Sequence, residues 1–461
     1  MQPKETTIWI KNPLAILTAA GVDAGGGLVV SCNQAGGTIV ELVASGQAPS
    51  TPYDQYYDAR DSVVLPGLIN GHHHYYQTLT RAYPGALNQE LFTWLKSLYP
   101  VWAGLEPDML AVATKLALSE LLLSGCTLSA DHHYLFPTGM EQSIDVQIEA
   151  GKTVGMRTLY TRGSMSLGVD DGGLPPQNTV QLQEQILEDS ERLINRYHQR
   201  GKGAMLQIAL APCSPFSVTP EIMKASAKLA QKLDVRLHTH LAETQDEEAF
   251  CLQRFGLRTV DYLESVGWLS DRTWLAHGIH FNDDEIKKLG SAGVGVCHCP
   301  TSNMMLASGI ARNLELEQAG VVVGLGVDGS ASNDGSNMIQ EVRQALYIQR
   351  LRYGSSKVTH FDAYRWATKG SASLLGRDDV GEIAVGMQAD LALFKLDEMR
   401  FSGSHDPLAA LLLCGAYKAD RVMVAGQWSV KDGELVNIDV PSLMAEHKAL
   451  AYKLAQKAKS L

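Results

Sequence analysis

Eight short apolar runs, nearly all ending on a polar, chemically able residue and leading into a helical stretch, restrict this chain's fold more than any other feature. The runs are 67–74, 127–133, 157–163, 205–213, 235–240, 273–280, 293–299 and 321–328. Between them lie amphipathic stretches such as 108–123, 180–196, 220–233 and 283–289, whose apolar residues recur at helical spacing. Strand–helix units repeated in this way predict an α/β fold, a (β/α)8 barrel of TIM type, with its chemistry at the C-terminal ends of the strands. An open, doubly wound sheet is the competing arrangement. It usually carries a glycine-rich phosphate loop after an early strand, and no convincing GxGxxG or GxxxxGK[ST] stretch occurs here.

The two ends of the chain have a different texture. Segments 6–10, 28–32 and 37–42 alternate or run apolar as strands do, with loops at 24–27 and 45–52. After a helical stretch at 360–375 the chain turns β-rich again, with short strands at 421–424 and 427–430 divided by Gly426. We read 1–65 and 378–440 as one small β-sandwich made by both ends, 66–377 as the barrel, and the Lys-rich 441–461 as a helical tail. A single core rarely grows past roughly 250–300 residues, which suits a chain of 461 divided in this way.

Composition narrows the partners. Hydrophobic residues make up 45% and charged residues 19%, as in ordinary globular domains. A net charge of −11 argues against nucleic acid or an anionic membrane as the main partner. No run reaches the roughly 18–20 apolar residues of a membrane span, and the first residues lack the basic stretch and apolar core of a secretory signal. The cysteines, at 32, 126, 213, 251, 297, 299 and 414, are odd in number and form no CxxC pair. That pattern fits reduced thiols and a cytoplasmic location.

The histidines carry the chemistry. His72, His73 and His74 follow Pro66-Gly-Leu-Ile-Asn-Gly. On a strand alternate side chains share a face, so His72 and His74 point together and His73 points away. Two such imidazoles can grip one cation, although alone the pair reads equally as a hydrogen-bonded strand end. His240, in His238-Thr-His-Leu-Ala-Glu243, stands where a third ligand would, at the end of the fifth run. Glu243 lies where strand gives way to loop and can face the site without being a ligand; His238, one layer deeper, reads as a packed or supporting group. His277 stands near the end of the sixth run and Asp328 ends the eighth. Each is unremarkable alone, but all converge on one mouth of a barrel.

In this order the motifs resemble the amidohydrolase superfamily, in the branch of guanine deaminase, other aminopurine deaminases and the triazine hydrolases. The pattern Pro-Gly-x-x-Asn-x-His-x-His, then His-x-x-Glu, His-Gly and Asp is complete, and a late Val-Gly-x-x-Ala-Asp-Leu motif stands at 385–391. The resemblance spans nearly the whole chain. Binuclear members place a bridging Lys or Glu at the end of the fourth strand, where this chain has Ala211-Pro-Cys213. The resemblance therefore implies one Zn²⁺ per chain, with Fe²⁺ as the alternative, held by His72, His74, His240 and Asp328. It also implies catalytic roles. Asp328, with His277, takes a proton from the attacking water, and Glu243 carries a proton to the neighbouring ring nitrogen before ammonia leaves.

The substrate is expected to be a small heterocycle. Gln77 can donate to and accept from a base edge, Trp94 can stack on a flat ring, and His133 and Cys213 end the second and fourth runs. Guanine deaminases tend to carry an Arg beside the position of Cys213, and its absence argues against guanine itself. The loops at 72–81, 131–139, 297–310 and 327–334 are most similar to the 8-oxoguanine deaminase subgroup, implying conversion of 8-oxoguanine to urate and ammonia. Guanine, isocytosine or another amino-heterocycle, or a triazine, are the alternative substrates; a scaffold homologue without catalysis is the remote one. A thiolate–metal reading of Cys297-His-Cys299 is rejected, since four ligands from other strands already fill the site. The H-x-E, P-C-x-x-C signature of the other zinc deaminases is missing. A homo-oligomer acting on free bases, without nucleic acid or membrane, is expected.

Overall fold

The structure, a computed structural model, describes residues 5–34 and 36–459. Five strands open the chain: β1 Thr6–Lys11, β2 Ala15–Ile16, β3 Gly27–Asn33, β4 Gly36–Val43 and β5 Gln55–Asp58. β6 Ser62–Pro66 then leads directly into the barrel. Its parallel strands are β7 Leu68–Asn70, β8 Cys126–His133, β9 Arg157–Ser164, β10 Leu206–Pro212, β11 Leu237–Leu241, β12 Thr273–His277, β13 Gly295–His298 and β14 Val322–Leu325, neighbours in sequence order. The helices between them are α1 Leu91–Trp102, α2 Pro107–Leu123, α3 Ser143–Lys152, α4 Gln183–Tyr197, α5 Pro220–Leu233, α6 Gln245–Phe255, α7 Thr259–Ser265, α8 Asp283–Ala292, α9 Pro300–Met305 and α10 Asn313–Gln318; α11 Met338–Tyr353 follows β14.

The eight runs are the eight barrel strands, but the first is much shorter than 67–74. β7 ends at Asn70 because its side chain turns to the seam: Asn70 Oδ1 accepts the Val327 N–H at 2.9 Å and its Nδ2 donates to Ser129 Oγ. Gly71 N–H to Leu325 O (2.8 Å) and Asp328 N–H to His72 O (3.0 Å) then close the barrel between its first and last strands. At Gly71 and Gly326 this seam leaves no room for a side chain. A Cβ on Gly71 would lie 2.9 Å from Cys297 Sγ, and one on Gly326 would lie 2.8 Å from His72 Cβ. His72 and His74 therefore stand on the segment leaving the strand, not in it. Inside the barrel, Ile69, Leu128, Leu159, Trp274, Cys297 and Cys299 pack with Leu374 and Leu375. Both cysteines serve here as apolar filler.

The remaining strands are β15 Leu391–Lys395, β16 Arg421–Val424, β17 Gln427–Lys431 and β18 Glu434–Leu435. They form one sheet in the order β18-β17-β16-β15-β6-β2, while β4-β3-β1-β5 form another. Ile10, Leu28, Val30 and Ile39 from one sheet share an apolar cluster with Val64, Leu391, Leu393 and Met423 from the other. β15 pairs antiparallel with β6, so the two ends of the chain meet in one sheet. Residues 380–390, expected to be part of this β region, contain no strand. Their late motif instead grips the barrel: Asp390 takes both Nε and Nη2 of the buried Arg157 at 2.7 and 3.0 Å, and Gln388 accepts a further bond. β2 and β5 lie outside the expected strands because neither carries enough alternation to be read. The tail forms the helix Val440–Lys459.

Candidate metal centre and active site

The polar residues that end the barrel strands converge on one buried point. His74 Nε2 lies 3.2 Å from His240 Nε2, and Asp328 Oδ1 lies 3.2 Å from His72 Nε2 and 3.3 Å from His74 Nε2. The hydrogen bonds behind the rings fix their tautomers. His238 Nδ1 lies 2.9 Å from the Trp274 carbonyl oxygen and can only donate to it. Its Nε2 is then the acceptor of the 2.8 Å bond from His72 Nδ1. His74 Nδ1 donates to His132 O and His240 Nδ1 to Cys213 O, both at 2.7 Å. All three imidazoles thus turn an unprotonated Nε2 toward one place, which is how ligating histidines are held.

Unprotonated nitrogens 3.2 Å apart repel unless a cation lies between them. A tetrahedral zinc site with Zn–N near 2.0–2.1 Å has donor–donor edges of about 3.3–3.4 Å. The donor set and its spacing therefore fit a divalent ion. Electrostatics agree. Burial lowers the pKa of His72 and lowers that of His240 further still. Burial alone would raise Asp328, but His72 and His74 outweigh it and hold the carboxylate well below its usual range. A second grouping adds His132 to His72, His74 and His240.

Two further groups face the same point. Asn303 Nδ2 donates to His277 Nδ1 at 3.0 Å, leaving the Nε2 proton between Glu243 Oε2 (3.4 Å) and Asp328 Oδ2 (4.0 Å). Burial pushes the His277 pKa down to about 3, so the ring is neutral. Burial, then the nearby Asp328 and Glu247, raises Glu243 well above a normal carboxyl. Glu243 is thus poised to hold a proton beside an ionised Asp328, the pairing that separates an acid from a base in one site. Ser302 Oγ–H binds Asp328 Oδ2 at 2.6 Å. His277 and Asp328 adopt left-handed φ of 73° and 63°, a conformation costing roughly 1–2 kcal/mol each and found where function over-determines the backbone.

Beside this point is a cavity with about 370 Å³ of empty space. α1 contributes Leu91, Trp94, Leu95 and Tyr99 to its wall; Tyr134, Cys213, Phe216 and Leu306 face them. Gln77 and Ser332 are polar liners, and among the described residues no Lys or Arg lines the cavity. Gln77 Oε1 accepts the Ala331 N–H at 3.3 Å. Burial lifts the Cys213 thiol to about 12, so it stays protonated. Trp94, Gln77 and Cys213 thus stand at the cavity, whereas His133 does not. β8 alternates, and its inward residue is His132, which stacks on His240 at 4.6 Å. His133 shares the outward face with Asp131 and packs against Tyr76 and Phe136. A one-residue error of parity separates the two. Sequence reasoning also missed Ser302, Asn303 and, apart from Trp94, the α1 wall.

A parallel barrel whose mouth gathers three imidazoles and a carboxylate beside a largely apolar cavity defines a hydrolytic enzyme that uses a metal ion. The sequence pattern of the Amidohydrolase family matches residues 63–429, and the chain belongs to that family. It is 68% identical over 446 residues to 8-oxoguanine deaminase of Pseudomonas aeruginosa PAO1, covering 97% of this chain and 98% of that protein. It is 31% identical over 470 residues to an isoxanthopterin deaminase from an unknown prokaryotic organism, covering 96% of each. Among solved structures, atrazine chlorohydrolase from Arthrobacter aurescens TC1 complexed with zinc has a TM-score of 0.89 at 32% identity, over 97% of this chain and 100% of that one.

Proposed function

We propose that this enzyme deaminates 8-oxoguanine, consuming one water and releasing urate and ammonia. The 68% identity to 8-oxoguanine deaminase, sustained over 97% of the chain, carries this reading. The cavity supports it: aromatic and aliphatic walls without a cationic side chain suit a flat, neutral ring.

His72, His74, His240 and Asp328 would hold one Zn²⁺, with Fe²⁺ as the alternative. A divalent ion there supplies a water whose pKa is brought down to about 7. Asp328, ionised and steadied by Ser302, takes the proton from the attacking water. His277 donates its Nε2–H to the attacking oxygen. Glu243 gives its proton to the ring nitrogen next to the carbon under attack, relieving the negative charge that attack creates. Asp328 passes its proton to the amino nitrogen, the C–N bond breaks and ammonia leaves. The remaining hydroxyl proton returns to Glu243 as the carbonyl forms. Gln77 offers a hydrogen-bonding edge to the base, Trp94 a flat face, and Cys213 a small apolar contact. The same reading has the enzyme working on free bases as a homo-oligomer in the cytoplasm. All seven cysteines are free, and among the described residues no helix is long and apolar enough to cross a membrane.

Ammonia release measured with 8-oxoguanine, guanine, isocytosine and a hydroxytriazine tests the proposal. The highest kcat/KM is expected with 8-oxoguanine. Turnover of the triazine alone would place the enzyme with the triazine hydrolases, and no turnover of any aminopurine would refute the reading.

A further inference from the structure

The opposite end of the barrel carries a cleft that none of this chemistry uses. It is open to solvent and is lined by His198, Arg200, Gln207, Asp234, Arg236 and Arg272, among others. Arg200 and Arg272 share one carboxylate: Arg272 Nη1 lies 2.6 Å from Asp234 Oδ1, and Arg200 Nη1 3.7 Å from Oδ2. Arg236 has no such partner. Its Nε is buried without a hydrogen bond, and among the described residues its guanidinium makes no ion pair; it stands 5.9 Å over the Trp274 ring. Burial lowers its pKa to about 10. Gln207 Oε1, in the same cleft, is also buried and unpartnered.

Asp271 acts on Arg236 through space without forming an ion pair with it, and the buried Nε still lacks an acceptor, a cost that a bound anion would remove. In the larger cleft beside α4, by contrast, Arg162 and Arg192 are matched by Asp189 and Asp145. Nor is the cluster part of a generally basic surface, since the chain carries a net charge of −11. The guanidinium fork matches the oxygens of phosphate. We propose that this cleft binds phosphate, free or as a phosphomonoester, between Arg236, Arg200 and Arg272, with the Gln207 amide on a further oxygen. Hydrogen phosphate carries a hydroxyl that can donate to Gln207 Oε1. β11 separates Arg236 from His240 by about 13 Å of extended chain, so the site is distinct from the metal centre. The proposal does not depend on which heterocycle the enzyme deaminates.

The test titrates phosphate into the metal-loaded enzyme at constant ionic strength and reads Tm. A ligand bound only by the folded state raises Tm progressively with its concentration above Kd. The wild type should show this rise at low millimolar phosphate or below, and Arg236→Gln should abolish it while deamination continues. Should Arg236→Gln not fold, Arg272→Gln must move the concentration needed for a given rise several-fold upward. Ribose 5-phosphate in the same titration separates the sources: a tighter response than inorganic phosphate identifies a monoester, an equal or weaker one free phosphate. No rise in the wild type, a rise that survives Arg236→Gln, or an unmoved response in Arg272→Gln overturns the proposal.

Discussion

Asp328 and Glu243 are carboxylates in the same buried mouth, driven in opposite directions by their surroundings. Asp328 is held ionised by His72 and His74, and Glu243 is pushed toward its protonated form by burial. Replacing Glu243 with Gln is therefore expected to keep the metal and lose turnover by roughly 10²–10⁴-fold. His74→Ala should lose both. Metal analysis beside steady-state rates distinguishes the two, and a near-full rate in Glu243→Gln would rule out the proton carrier. The tautomer of His72 depends on His238, whose Nε2 is its acceptor. His238→Phe removes that acceptor, so chelator competition should find metal affinity about 10–100-fold weaker; unchanged affinity would mean His238 merely packs. The six residues named from the motifs were legible because four are histidines, an uncommon type here, and all stand at or just beyond strand ends. Ser302 and Asn303, in α9, were not, because a Ser or Asn in a short helix has many ordinary reasons to be there and its partner is set only by the fold. His133 was favoured over His132 because the exit point of β8 from the sheet, which fixes parity, cannot be read from the run itself.

Helices decide the shape of the cavity, and here the sequence is least explicit. α1 crosses the mouth and lays on it Trp94, which the sequence singled out, and Tyr99, whose placement is an outcome of tertiary packing with no local signal. The C-terminal helix holds α1 in place. Leu454 is fully buried in the cluster of Trp94, Leu95, Tyr99 and Trp102, and His447 Nε2 bonds Thr78 Oγ1 at 3.1 Å, next to Gln77. Leu454→Ala should cost about 2–5 kcal/mol of stability and raise KM more than it lowers kcat, with metal content unchanged. A kcat loss at constant KM would show that this helix does not shape the cavity. In α6, Glu247 accepts the backbone N–H groups of Ala242 and Glu243 at 2.9 and 3.0 Å and so positions the loop bearing the proton carrier. Burial raises its pKa from 4.5 to about 7. The folded state thus binds more protons than the unfolded one between those values, and this group's stabilising contribution is lost as pH rises through about 7. Urea unfolding at about pH 5 and pH 8 should show a fall of roughly 2–3 kcal/mol from this group in the wild type that Glu247→Gln lacks; equal slopes would contradict it.

At the scale of the molecule, the barrel and the sheets made by the two chain ends are joined by chemistry as well as packing. Asp390, in the late motif, binds Arg157 at the start of β9, a buried pair whose separation would leave an uncompensated charge. The barrel was legible because eight runs repeat one theme. The flanking sheets were only partly so, since β2 and β18 are two residues long and draw their stability from neighbours distant in sequence. What unites these parts is a mouth that gathers three Nε2 lone pairs and one carboxylate, where the proposed single ion would be held. Titrating zinc into chelator-stripped enzyme while recording the initial rate of ammonia release from 8-oxoguanine tests this most directly. The rate should climb linearly and level off at one equivalent per chain. Full activity in the stripped enzyme, or a rate that levels off only at two equivalents, would contradict a single catalytic ion.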